Sequence, residues 1–250
     1  MRRTIIRVLL LAVLLPTASA RASILYGDAM GATVWFRGIQ ESSPTGDPLP
    51  LYGAPAVNGD QLVFPTTGSF AAESLGGGAP DGTDGKLNIM IEAKPGFSLS
   101  SFEIEENGLV ALNAPFGGDA FAEVLSFGVV KVLEIAGAPV DLPAISAFLA
   151  ISPLGGQYQL SLIGGSSFAS SWAGSTNVGL PESTTKLTLA LDNSLFASTL
   201  GSGTRAFLDK KLFVLDVHSV GVPVPEPAAS LLGVMVALAV GLVRRDVTRS

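Results

Sequence analysis

The strongest constraint on this fold is punctuation. Between residues 21 and 222, Gly, Pro, Asn and Asp interrupt every apolar run before helical spacing can develop, and an amphipathic helix needs a longer window with apolar positions three and four apart. Short alternating runs remain, and they predict strands over 32–41, 61–65, 68–73, 86–93, 99–105, 120–135, 147–151, 157–162, 186–191 and 211–220. Asn58-Gly59 and Asn107-Gly108 each supply the positive φ of a tight hairpin turn. Phe102-Glu103-Ile104-Glu105 alternates core and wet positions, and 124–135 reads as a central strand either covered on both faces or crossed by a bulge, at Gly128. Phe213, Leu215 and Val217 share one face of the last strand, with Val214, Asp216 and His218 on the other. About ten short strands predict an all-β fold, an antiparallel β-sandwich of jelly-roll type. A β-solenoid would need a fixed repeat, and none is visible.

The two ends are of another character. Arg2, Arg3 and Arg7 flank the apolar run 8–15, and Ala18-Ser19-Ala20 follows as a small-x-small cleavage site. Residues 1–20 therefore read as a secretory signal peptide, with cleavage after Ala20 or, one repeat later, Ala22. At the far end Pro225-Glu226-Pro227 is rigid, exposed and unable to join a sheet. Residues 228–243 carry no charge, and as a helix they reach roughly 24 Å, a short transmembrane span. Arg244, Arg245 and Arg249 then form a basic stop that places the C-terminus in the cytoplasm and residues 21–222 outside. A buried terminal helix is the plainer alternative.

Pro-Glu-Pro, an apolar span and an arginine end, in that order, resemble the PEP-CTERM sorting signal of bacterial exported proteins. The resemblance covers residues 223–250. It implies recognition of Pro225, Glu226 and Pro227 by a membrane-embedded exosortase, with 228–243 as the membrane helix and Arg244-Arg245 as the stop. It also implies delivery to the cell envelope, surface or matrix alongside exopolysaccharide, with this chain as the sorting enzyme's substrate. Residues 25–110 look similar to domains found in front of that signal, through Tyr26-Gly27-Asp28, Glu41-Ser42-Ser43, Gly53-Ala54-Pro55 and the stretch 76–93. That likeness implies fold and location only.

Of the 21 acidic and 15 basic residues, two acids and six bases lie in the terminal segments, leaving 19 against 9, a net charge of −10 over residues 21–222. A domain this acidic has no electrostatic basis for binding nucleic acid. With no cysteine there is no disulfide framework, thiolate nucleophile or Cys-zinc site, and one histidine, His218, rules out His-rich metal centres.

The remaining candidates are sparse. Asp81 and Asp84, in the Gly-rich stretch 76–85, offer oxygen ligands of the kind that hold Ca²⁺ in exported β-domains, against a solvated turn as the plainer reading. Glu103 and Glu105, two apart on one strand face, have the spacing of a glycosidase carboxylate pair or of a wet face. Asp216 and His218 form half of a triad with Ser167 or Ser219, but no Gly-x-Ser-x-Gly elbow accompanies them. Trp35, Trp172, Tyr26, Tyr52 and Tyr158 make a sugar platform only if two of them prove exposed and coplanar. Gly164-Gly165-Ser166-Ser167 lacks a phosphate-loop lysine. The reading reached from residues alone is a non-enzymatic surface or matrix protein with no catalytic set and no required cofactor, acting by adhesion or association with exopolysaccharide. A carbohydrate-active hydrolase or carbohydrate-binding module on the same sandwich is the alternative.

Overall fold

A computed structural model of the chain describes residues 23–66 and 68–222. The predicted signal peptide, sorting motif, membrane span and basic stop lie outside the described residues, and no helix within them is long and apolar enough to cross a membrane. The strands are β1 (Ser23–Met30), β2 (Val34–Ser42), β3 (Ala56–Asn58), β4 (Gln61–Pro65), β5 (Ala71–Leu75), β6 (Asp81–Ala93) and β7 (Phe97–Asn113). They continue as β8 (Asp119–Ile135), β9 (Ala138–Pro139), β10 (Ile145–Phe148), β11 (Ala150–Ser152), β12 (Gln157–Gln159), β13 (Ser167–Leu200) and β14 (Arg205–Gly221). A single α-helical turn, α1 (Leu160–Ile163), follows β12.

The named strands pair antiparallel in one continuous sheet that folds into two layers, because β13 belongs to both. Residues 167–179 of β13 pair with β7, which pairs with β14, and β14 carries β4 and β5 on its other edge. Residues 184–200 pair with β6 on one side and β8 on the other, with β2 and β1 beyond β6. The strand turns its corner at 180–183, where Pro181 removes a backbone donor and Ser183 adopts φ 61°. Thr184, buried at that corner, donates its hydroxyl to Pro181 O at 2.7 Å. Between the layers lies an apolar core that includes Phe36, Phe64, Phe102, Phe213, Leu189 and Trp172.

The β-sandwich class and the face assignment of the last strand agree with the alternation, since Phe213, Leu215 and Val217 are buried. Several local expectations need correction. Asn58-Gly59 does mark a hairpin, but the two turn residues are Gly59 (φ 62°) and Asp60, while Asn58 already pairs with Gln61. Asn107-Gly108 is not a turn. It lies inside β7, opposite Ala173 and Trp172 of β13. Glycine is needed there for clearance: a Cβ would stand 1.8 Å from Asp209 O and 2.6 Å from Trp172 Nε1, whose N–H donates to that carbonyl. The run expected as a strand over 157–162 stops at Gln159, because the Asp119 carboxylate accepts from Ser161 N (3.0 Å) and Oγ (2.7 Å) and holds the chain in α1. β1 escaped prediction because register shifts around Gly27 break its alternation. Most of β13 escaped because 167–179 is rich in Ser, Ala and Gly.

Candidate functional site

The predicted polar residues gather on the outer face of the layer built from β4, β14, β7 and β13. Asp216 of β14 stands opposite both Gln61 of β4 and Glu103 of β7, and Glu103 stands opposite Asn177 of β13. Glu105 is two residues further along, opposite Val214 and Ser175. His218 pairs with Ser101 at the next outward position and is exposed. The structure thus brings Glu103, Glu105, Asp216 and His218 to one face, although Asp216 accepts from Gln61 Nε2 at 2.6 Å. Ser219 bonds to Thr33 Oγ1 at 2.7 Å, and Ser167 pairs with Asn113 at the far end of β7.

Asp81 and Asp84 are the first and fourth residues of β6, not part of a loop, and at odd spacing on a strand they point to opposite faces. Asp81 Oδ2 accepts from Glu73 N at 2.8 Å. Among the described residues no cluster of three or more acidic or histidine side chains is arranged to hold a metal ion.

None of the predicted aromatics forms an exposed pair. Trp172, Tyr52 and Tyr158 are core residues, Tyr26 donates its hydroxyl to the buried Glu41 carboxylate, and Trp35 lies under the Arg37 guanidinium at 4.9 Å. The exposed pair is elsewhere. Phe127 of β8 and Phe148 of β10 are register partners, their rings 6.1 Å apart with planes 29° from parallel, and they are 39% and 72% exposed. Leu125 and Val129, also exposed, flank Phe127 along the outer face of β8. Ser146 and Asp192 stand opposite Val129 and Phe127. Six residues back along β8, Phe121 lines a cleft of about 680 Å³ with Gln157, Gln159, Leu162, Phe168 and Ser170. An apolar strip therefore runs over positions 125–129 of β8, bounded along the strand by Glu123 and Lys131 and with polar groups at its sides. It was hidden in the sequence because 124–135 reads as a strand covered on both faces.

Between the layers the core contains a polar centre that sequence reasoning missed. Lys210 Nζ of β14 pairs with Glu106 Oε2 of β7 at 2.8 Å, both side chains fully buried. The ammonium also donates to Asn193 Oδ1 of β13, in the opposite layer. Asn193 Nδ2 donates to Tyr52 Oη at 2.6 Å, and that hydroxyl donates to Gly85 O at 3.2 Å. Ser126 Oγ of β8 donates to Glu106 Oε1 at 3.1 Å. The Phe70 ring lies 4.9 Å from Lys210 Nζ and Tyr52's ring 5.7 Å. Burial pushes the Lys210 amine below its usual range, with the Glu106 charge acting against that push. Burial also raises the Tyr52 phenol, and the nearby Glu106 charge adds to the rise. The signal for this centre is periodicity: Glu106 continues the inward parity of Phe102 and Ile104, and Asn193 sits between the inward Leu191 and Leu195.

No family model and no curated protein matches the chain. Solved structures similar to it include TmCBM61 in complex with β-1,4-galactotriose, at 7% identity over 70% of this chain and 86% of that one, with a TM-score of 0.24. Another is the enzymatically active domain of tailspike protein 4 from bacteriophage CBA120, at 11% identity over 80% of this chain and 20% of that one, TM-score 0.21. At these scores neither likeness bears on function.

Proposed function

We propose that the protein is a non-enzymatic component of the cell surface or extracellular matrix. In this reading it is exported by residues 1–20, sorted by an exosortase at Pro225-Glu226-Pro227, and associates with a neutral exopolysaccharide along β8. The observation that carries the binding role is the exposed, near-parallel Phe127–Phe148 pair on an apolar strip with polar sides. A sugar ring offers an apolar C–H face and hydroxyl edges, which such a strip meets with ring contact and with hydrogen-bonding groups such as Ser146 and Asp192. The net negative charge of the domain favours an uncharged polymer over an anionic one. Export and sorting rest on the composition and order of the two terminal segments: a basic start, an apolar run and a small-x-small site at one end, and Pro-Glu-Pro, an apolar run and arginines at the other.

Retention on immobilised neutral envelope polysaccharide tests the binding role. The double variant F127A/F148A should lose retention about tenfold, the worth of one or two ring contacts, with an unchanged melting temperature. Equal retention of variant and parent would remove the polysaccharide assignment. For sorting, E226A should still be exported but should accumulate in the membrane with its tail attached; normal maturation of that variant would count against exosortase handling.

A hydrolase is the second reading, and one observation favours it. Glu103 and Asp216 are direct cross-strand neighbours, so their side chains start about 5 Å apart, near the separation of a retaining carboxylate pair.

A further inference from the structure

Three groups of complementary reactivity meet in the sealed core between the layers. The Lys210 side chain ends in an amine, Asn193 presents a carboxamide, and Glu106 can carry a proton. Lys210 Nζ is 2.8 Å from Glu106 Oε2 and hydrogen bonded to Asn193 Oδ1. The carboxamide carbon lies one C=O bond beyond that oxygen, which puts it about 3–3.5 Å from the amine, the separation of a near-attack pair.

We propose that Lys210 and Asn193 become joined by an intramolecular isopeptide bond, with Glu106 moving the protons, so that a covalent staple ties β14 of one layer to β13 of the other. Glu106 first takes a proton from the Lys210 ammonium, leaving a neutral amine and a neutral acid. The Nζ lone pair attacks Asn193 Cγ and the N–C bond forms. A second Nζ proton passes by way of Glu106 to Nδ2, the Cγ–Nδ2 bond breaks, and ammonia leaves. The proton first taken from the ammonium stays on Glu106 or departs with the ammonia. Nothing is oxidised or reduced, and no co-reactant is needed.

The surroundings favour each step. Burial strips the Lys210 ammonium of its hydration and lowers its pKa, which favours the neutral amine that attacks. Tyr52 holds Asn193 by Nδ2 at 2.6 Å, which turns Oδ1 and Cγ toward the amine. A satisfied ion pair would be served by any acceptor beside Lys210, whereas this one is an oriented primary amide, the acyl group an amine can displace. Both side chains sit on long central strands, so the bond would close a loop across the core in a chain without cysteine.

The intact mass of the mature protein, measured after full denaturation, tests the inference directly. The expected value is the sequence mass less one ammonia. Because a succinimide at Asn193 would lose the same mass, tryptic mapping is needed as well. Cleavage after Arg205 should leave 187–205 still attached to 206–211, with cleavage at Lys210 blocked. E106Q and K210R should each restore the full mass, and N193D should lose water in place of ammonia. An unmodified parent mass, or an ammonia loss without the linked peptides, overturns the proposal. Neither result depends on the β8 strip, so the two readings stand or fall separately.

Discussion

The core and the outer face of β7 treat the same amino acid in opposite ways. Glu103 and Glu105 point outward into a row of polar partners, while Glu106, one residue further, points inward and meets a lysine, both side chains fully buried. Strand parity alone separates them. Outside, a carboxylate keeps its water and its neighbours matter little; inside, a charge has lost its hydration and costs several kcal/mol unless an opposite charge faces it. The lesson is that in this sandwich the chemistry of an acid follows from which face it lies on.

The contrast can be broken most severely at its buried end. E106Q leaves Lys210 unlinked and without a counter-charge in the core and should cost at least about 3–5 kcal/mol in chemical denaturation, since an unpaired buried ammonium bears its full desolvation penalty. A loss below about 1 kcal/mol, the range of surface pairs, would mean the centre is not sealed from water.

Asp119 occupies a middle position, at the layer edge. Burial acts to raise its carboxyl, but bonds from the Gln159 side chain, from Ser161 and from Ala120 N outweigh that and hold it below the usual range. A lowered folded-state pKa means that the stabilisation is present above the unfolded carboxylate value and is lost as pH falls through the folded value. Melting temperature followed downward from pH 7 should therefore drop for the parent in the acid range, and D119N should flatten that part of the curve while loosening α1. Identical acid limbs would remove Asp119 from the account.

The smallest effect belongs to the outer face. E103Q makes the same chemical change as E106Q three positions away, yet it relieves the like-charge contact with Asp216 and should stabilise the fold by about 0.5 kcal/mol. If the hydrolase reading holds, the same variant abolishes hydrolysis of a soluble oligosaccharide; an unchanged activity screen removes that reading.

Part of this was open to inspection in the primary structure. Alternation in Phe102-Glu103-Ile104-Glu105 and in Phe213-Val214-Leu215 gave both faces correctly, because burying one side of a strand demands a two-residue period. The same period carried to Glu106 and Asn193 places both inside, but a charge at core parity has meaning only once its partner is known. That partner, Lys210, comes from a strand where a bulge after position 210 resets the alternation. Asn107-Gly108 misled for a related reason: its glycine makes room for Trp172 across the sheet, a demand that comes from 64 residues away and leaves no local mark.

The sequence by itself determined the β class and the inward faces of the alternating strands, and it marks two terminal segments of different composition, since each follows from local period or from charge and hydropathy along the chain. Tertiary structure alone decided that β13 would serve both layers, that Phe127 and Phe148 would share an exposed surface, and that Glu106, Lys210 and Asn193 would meet. Those outcomes depend on register between distant strands, and register is chosen by the packing of the whole core.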